Sequence, residues 1–405
     1  MSITKSKGKF VQDKVLMSTY NNRKTSSNWG GVFALSLGAF ALVASEFMPV
    51  SLLTPIASDL GITEGQAGQT ISVSGAFAVL TSLFISAVAG KLDRKILLSV
   101  LTVLMILSGT IVSLAPNYEI FMLGRALIGI AIGGFWSMSA AAAMRLVKDA
   151  HVPRALAIFQ GGNALATVIA APLGSFLGGL IGWRGAFFFV VPVAIIVLVW
   201  QLISLPSMKA EERTRVSAIF KVLFRPVVTL GMAAASLSFM GQFALFTYLR
   251  PYLEKIAHVD VSMLSFMLLI MGVSGFVGTV IVGGFLKNSF NSTLVAIPLF
   301  MGVVAVGMIL CGGNFVATIA LLGLWGLLGA ASPVAWWTWV ARTLPNDAEA
   351  GGGLLVAVVQ LAITTGAVIG GLLFDSSGYQ ATFGVSAALL LSAGVLALMT
   401  ARSAR

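Results

Sequence analysis

Stretches of roughly twenty mostly apolar residues, the length a helix needs to cross a bilayer, recur from one end of the chain to the other. They fall near 29–53, 66–89, 96–115, 119–143, 155–181, 185–205, 226–249, 262–286, 292–312, 315–341, 352–374 and 380–400. Of the 405 residues 58% are hydrophobic and only 10% charged, whereas a soluble domain carries about 25% charged residues. The pattern predicts an all-α membrane protein with 12 transmembrane helices.

The net charge of +11 raises the question of nucleic acid, and the placement of the charges answers it. With the amino terminus in the cytoplasm and the spans alternating, all but four of the 25 Lys and Arg residues fall on the cytoplasmic side. The exceptions are Arg184, Arg250 and Lys255, read as outside loops, and Arg125, which lies within a span. That asymmetry follows the positive-inside rule and puts both termini in the cytoplasm of a multi-pass protein of a bacterial inner membrane. No segment outside the spans is long enough to build a basic nucleic-acid face.

The longest polar interval between spans, 206–225, divides them six and six. The expected organisation is a cytoplasmic tail (1–28), a six-helix bundle (29–205), a cytoplasmic linker (206–225), a second six-helix bundle (226–400) and a short tail (401–405). The first tail has no small-residue cleavage site, so span 1 is read as retained. Ser72-Val-Ser-Gly75 and Met271-Gly-Val-Ser-Gly275 occupy matching places in the two halves. Such parallel repeats accompany a central site that two bundles gate in turn. There is no phosphate-binding loop, metal cluster or nucleophile elbow in the sequence. The lone cysteine, Cys311, is read as a small core residue. No cofactor and no metal are expected, an ion gradient is the expected energy source, and a monomer is the expected state.

Two ionisable residues inside spans carry most of the functional information, because such groups are costly in lipid and mark ion or substrate paths. Glu46 lies about 10 Å below the expected outer surface in span 1, and Arg125 lies about 9 Å below it in span 4. At matching depth the two can meet directly or through water. Desolvation and a neighbouring guanidinium act on a carboxyl in opposite senses, so small rearrangements can carry it across physiological pH. The expectation is proton coupling, with a static ion pair between helices as the alternative.

Three motifs resemble those of the major facilitator superfamily. Leu123-Gly-Arg125-Ala-Leu-Ile-Gly129 is similar to its span 4 motif, whose arginine is implicated in proton coupling. Ala171-Pro172-Leu-Gly174-Ser-Phe-Leu-Gly178-Gly-Leu-Ile-Gly182-Trp-Arg184 is similar to the span 5 motif of its proton-linked antiporters, which implies export. Gly90-Lys-Leu-Asp93-Arg94-Lys95 resembles a shortened form of its span 2 to 3 loop, which implies that Asp93 and Arg94 latch the inward gate, with a merely topogenic basic loop as the alternative. Glu46-Phe-Met-Pro49, Gly133-Gly-Phe-Trp136 and Gly241-Gln-Phe-Ala-Leu-Phe-Thr-Tyr-Leu-Arg-Pro251 resemble the branch that exports purine ribonucleosides. That resemblance implies exchange of inosine or guanosine for protons, and not an enzyme. Sugar or multidrug efflux by the same antiport is the alternative, and a channel or sensor on the same fold a further one. A purine needs a ring to stack on and a few hydrogen-bond partners, for which Trp136, Gln242, Tyr248, Trp336 and Gln360 are the candidates.

Overall fold

The computed structural model describes residues 27–89, 92–208, 222–344 and 347–403. Most of the expected tail 1–28 and linker 206–225, together with Gly90, Lys91 and the last two residues, lies outside the described residues. Among the described residues every regular element is helical. The helices are α1 (Trp29–Leu60), α2 (Glu64–Ala89), α3 (Arg94–Ser113), α4 (Tyr118–Arg145), α5 (Val152–Ser204), α6 (Pro226–Phe246), α7 (Leu249–Lys255), α8 (Val261–Asn288), α9 (Phe290–Cys311), α10 (Phe315–Thr343) and α11 (Ala348–Ser403). Among the described residues ten helical segments, with α6 and α7 joined in one, are long and apolar enough to cross a membrane.

Polar residues mark where the chain leaves the apolar layer. Asn28, Asp93, Asn117, Asp260 and Asn314 each accept a hydrogen bond from a first-turn N–H, as capping residues do. Two helices exceed any bilayer: α5 has 53 residues and α11 has 56, about 80 Å each if straight. Neither is straight. Gly182 (φ 73°) and Gly378 (φ 78°) adopt left-handed backbone conformations inside them, which a residue with a Cβ resists.

Hydrogen bonds establish that α5 doubles back. The Asn28 N–H donates to the Leu146 carbonyl at 2.8 Å, its side chain donates to the Ser204 carbonyl at 2.5 Å, and Ser27 meets His151 at 3.2 Å. Both ends of α5 therefore lie at this Asn28 end of the bundle. Its turn lies at the opposite, Gly61 end, where Trp183 and Arg184 both donate to Asp59. In α11, Asp375 near the turn accepts from Thr63 and Gly65 at the Gly61 end.

The buried apolar side chains form two cores. One draws almost wholly on residues 32–208 and the other on residues 222–397. Between these halves α2 packs on α11, α5 on α8, and α1 on α7. Two expectations fail here. Arg250 is not in an outside loop but is 5% exposed within α7, because the chain re-enters a helix after Tyr248. Cys311 is exposed instead of packed in the core, since it is the last residue of α9 and faces outward.

Candidate substrate and coupling site

The site starts from the prolines of α1. Proline has no N–H, so the carbonyl four residues before it loses its helical donor, and in lipid that carbonyl must find another partner. Pro49 frees the carbonyl of Ser45 in this way. Arg125 of α4 supplies the missing donor: Nη1 reaches the Ser45 carbonyl at 2.8 Å, and Nη2 the Glu46 carbonyl at 2.9 Å. Its Nε donates to the Thr70 carbonyl at 3.2 Å and Nη2 also to Ser74 Oγ at 3.2 Å. The guanidinium is fully buried and ties α4 to both α1 and α2.

The structure thus brings the expected pair together through the backbone of Glu46. The carboxylate has a different partner: Gln360 Nε2 of α11 donates to its Oε1 at 3.4 Å. Glu46 and Gln360 are both buried, and this contact crosses from one half of the molecule to the other.

Next to Glu46, Phe47 stacks on Phe243 with centroids 5.5 Å apart and meets Phe246 edge-on at 6.3 Å. These rings also bridge the halves. Gln242, beside Phe243, donates from Nε2 to the Gly329 carbonyl at 3.3 Å, a carbonyl freed by Pro333 of α10. Its Oε1 is buried with no hydrogen-bond partner among the described residues, as are the hydroxyls of Ser238 one turn earlier on α6 and Ser332 on α10. Buried acceptors without donors are unfavourable unless something supplies a proton to them. Phe47, Phe243 and Phe246 were missed in the sequence because phenylalanine is common in spans. Their adjacency to Glu46 and Gln242 was the available signal.

The other expected residues fall elsewhere. Tyr248 is fully buried at the Gly61 end, where its hydroxyl donates to the Ala367 carbonyl at 2.8 Å and its ring stacks on Phe374. Trp336 is buried in the second core against Trp339. Trp136 is half-buried against Phe135 and Phe159 of the first half. In the span 5 motif, Pro172 frees the carbonyl of Val168, and a side chain at Gly272 of α8 would meet that carbonyl at 2.5 Å. Gly174 and Gly178 let α5 approach α1, since side chains there would meet Ser51 Oγ at 2.6 Å and Leu52 at 2.3 Å.

Asp93 caps α3 and also accepts from Ser207 Oγ and, at 3.0 Å, from the Met208 N–H, while the Arg94 N–H donates to the Met208 carbonyl at 2.9 Å. These bonds secure the segment leaving α5. Partial burial disfavours the Asp93 carboxylate, but the hydrogen bonds from Ser207, Met208 and Lys95, with the Lys95 charge, outweigh it and hold the carboxyl below its ordinary range.

Ten long apolar helical segments in two cores, with buried polar groups where the cores meet, define a multi-pass membrane transporter architecture. The chain belongs to the Major Facilitator Superfamily, whose family model matches residues 35–352. The "Purine ribonucleoside efflux pump NepI" of Salmonella typhimurium is 43% identical over 364 residues, 90% of this chain and 92% of that protein. The "Transcription regulatory protein OpdE" of Pseudomonas aeruginosa is 60% identical over 394 residues, 96% of this chain and 98% of that protein. Among solved structures, a bacterial homologue of the human lysosomal transporter Spinster, in an inward-facing and unoccupied conformation, matches with a TM-score of 0.71 at 15% identity, over 92% of this chain and 96% of that one. That likeness speaks for the fold alone.

Proposed function

We propose that this chain is a proton-driven antiporter that exports purine ribonucleosides across the bacterial inner membrane by alternating access. Counting the two arms of α5 and of α11 separately gives twelve spans in two six-helix bundles, with both termini cytoplasmic and the Asn28 end inside. The observation that carries the reading is the Glu46 carboxylate joined to Gln360 across the two halves, beside the Phe47, Phe243 and Phe246 rings. A carboxylate accepts from an amide donor more strongly than the protonated acid does, so protonation and the strength of the half-to-half contact are linked at one group. The rings offer faces for a purine, and Gln242 Oε1, Ser238 and Ser332 offer acceptors for ring-edge or ribose donors. The name of the 43% identical relative supports the substrate class.

The coupling free energy is modest per event, about 1.4 kcal/mol for each pH unit and about 2.3 kcal/mol per 100 mV, so one proton sustains roughly a tenfold nucleoside gradient per pH unit. The test is transport of labelled inosine in purified proteoliposomes with and without an imposed pH gradient, alongside a sugar and a cationic dye. Gradient-dependent inosine movement supports the proposal; dye-only or sugar-only movement moves the substrate to the alternative class.

A second reading rests on the name of the 60% identical relative: the chain alters transcription by controlling the cellular level of an effector that it moves or senses. Deleting the gene and supplying either the wild type or Glu46→Gln separates the two. A transcriptional change that survives Glu46→Gln belongs to sensing, and one lost with it belongs to transport.

A further inference from the structure

A second proline of α1, Pro55, frees a second carbonyl, that of Ser51. Its donor comes from the other half of the molecule: Arg250 Nη1 of α7. Arg250 is buried, and its Nε donates to Glu254 Oε1 at 2.8 Å, which fixes the guanidinium on the same helix. The two arginines therefore do the same chemical job on one helix with one difference. Arg125 satisfies Ser45 from within the first half, so its bonds persist however the halves move. Arg250 satisfies Ser51 from the second half, so its bond exists only while α1 and α7 are together at the Gly61 end.

We infer that Arg250 is a positioning residue for transport, clamping α1 at Pro55 to the second half so that the Gly61 end is held shut. Its neighbours act in the same place: Lys255 pairs with Glu64 at 2.6 Å, and Asp375 accepts from the Gly65 N–H at 2.9 Å and from Thr63 Oγ1 at 2.5 Å. Those contacts lie on exposed or half-buried groups, whereas Arg250 and Ser51 are buried. When the end opens, the Ser51 carbonyl loses its Arg250 donor, and water must enter to replace it. The barrier to opening is thereby written into the pairing of Pro55 with Arg250. This inference rests on the alternating-access reading but not on the identity of the substrate or of the coupling ion.

The experiment reads opening directly. In a Cys311→Ser background, Val50→Cys places a single thiol on α1 at a position that is 1% exposed and packed against the second core. Labelling by a membrane-impermeant maleimide applied from the Gly61 side reports how often that end opens. Arg250→Gln is expected to raise the rate on the order of tenfold, the effect of losing one charge-assisted hydrogen bond. Pro55→Ala returns an N–H to the Ser51 carbonyl, displacing Arg250, so it is expected to raise labelling by itself. Adding Arg250→Gln to Pro55→Ala is then expected to add little. Additive increments in the double variant, or no increase in either single variant, overturn the clamp. Parent protein that labels from one side only, in every condition, overturns the alternating-access reading itself and is distinguished by being independent of Arg250.

Discussion

The two halves of the molecule solve the same backbone problem with different chemistry. In the first half, Pro49 frees the Ser45 carbonyl and a buried guanidinium answers it. In the second, Pro333 frees the Gly329 carbonyl and a neutral amide, Gln242, answers it. The contact across the middle repeats the contrast, with a carboxylate on the first side and the Gln360 amide on the second. A neutral amide satisfies a carbonyl at a smaller desolvation cost than an ion, so stability alone does not call for charge in the first half. At the middle of the bundle the buried charges, Glu46 and Arg125, sit on α1 and α4, while the second half presents amides, hydroxyls and rings there; under the proposed function this is a division of labour between proton handling and recognition of an uncharged, aromatic solute.

If that division is real, Glu46→Gln breaks it most completely. The variant keeps the shape of the side chain and a bond to Gln360 but removes the titrating group. Gradient-driven nucleoside accumulation is expected to fall to the level of empty liposomes, while equilibrium binding measured by calorimetry is retained. Undiminished concentrative transport by Glu46→Gln sinks the coupling role. Arg125→Ala comes next and acts on the fold. It strips donors from three buried carbonyls and a hydroxyl, so a loss of about 3 kcal/mol is expected in detergent unfolding. Pro49→Ala gives the Ser45 carbonyl an N–H again and is expected to restore part of that loss in the double variant. Absence of any restoration counts against the proline account.

The contrast between halves also explains what was legible in the sequence. Long apolar helices, the break at Gly182 and the meeting of Glu46 and Arg125 at one level follow from apolar periodicity and from the rarity of charge in lipid, both one-dimensional signals. That Arg125 binds the carbonyl of Glu46 and not its carboxylate was not legible, because it depends on how α1, α2 and α4 pack around the guanidinium. The sequence places Arg250 in a loop because its segment, Leu249–Lys255, is polar enough to look like water-exposed chain; only packing shows that it is buried. Tyr248 carried the right chemistry for a nucleoside, yet the approach of α2 and α11 encloses it at the Gly61 end. Phe47 and Phe243 gave no signal by residue type, since in lipid a phenylalanine is as much at home against a tail as against a purine.

The recognition side of the comparison is sharpened by smaller effects. Phe47→Ala and Phe243→Ala each remove a face from the ring cluster, worth about 1 kcal/mol, so roughly fivefold weaker inosine binding is expected from either. Ribose transport, if present, should be unchanged by them. Gln242→Leu removes the unpartnered acceptor and is expected to weaken nucleoside binding by a similar factor without altering the dependence on the pH gradient. A change in that dependence blurs the proposed division between halves.

The smallest expected effect lies outside the spans, at Asp93, and it checks whether the first half also uses charge where only structure is at stake. Its carboxylate caps α3 and holds Ser207 and Met208, with its pKa held below the ordinary value. A carboxyl depressed in the folded state stabilises at pH above its unfolded value, near 3.9, and that stabilisation is lost as pH falls through the lower folded value. Asp93→Asn keeps an oxygen for the Lys95 and Met208 N–H groups but removes the charge and exchanges the oxygen that accepts from Ser207 for an amide donor, so it is expected to cost under about 1 kcal/mol at neutral pH. The difference from wild type should shrink as pH falls below that unfolded value. Thermal unfolding of the two proteins across that range is the measurement, and a difference that persists at low pH assigns the effect to the shape of the cap, with no share for its charge.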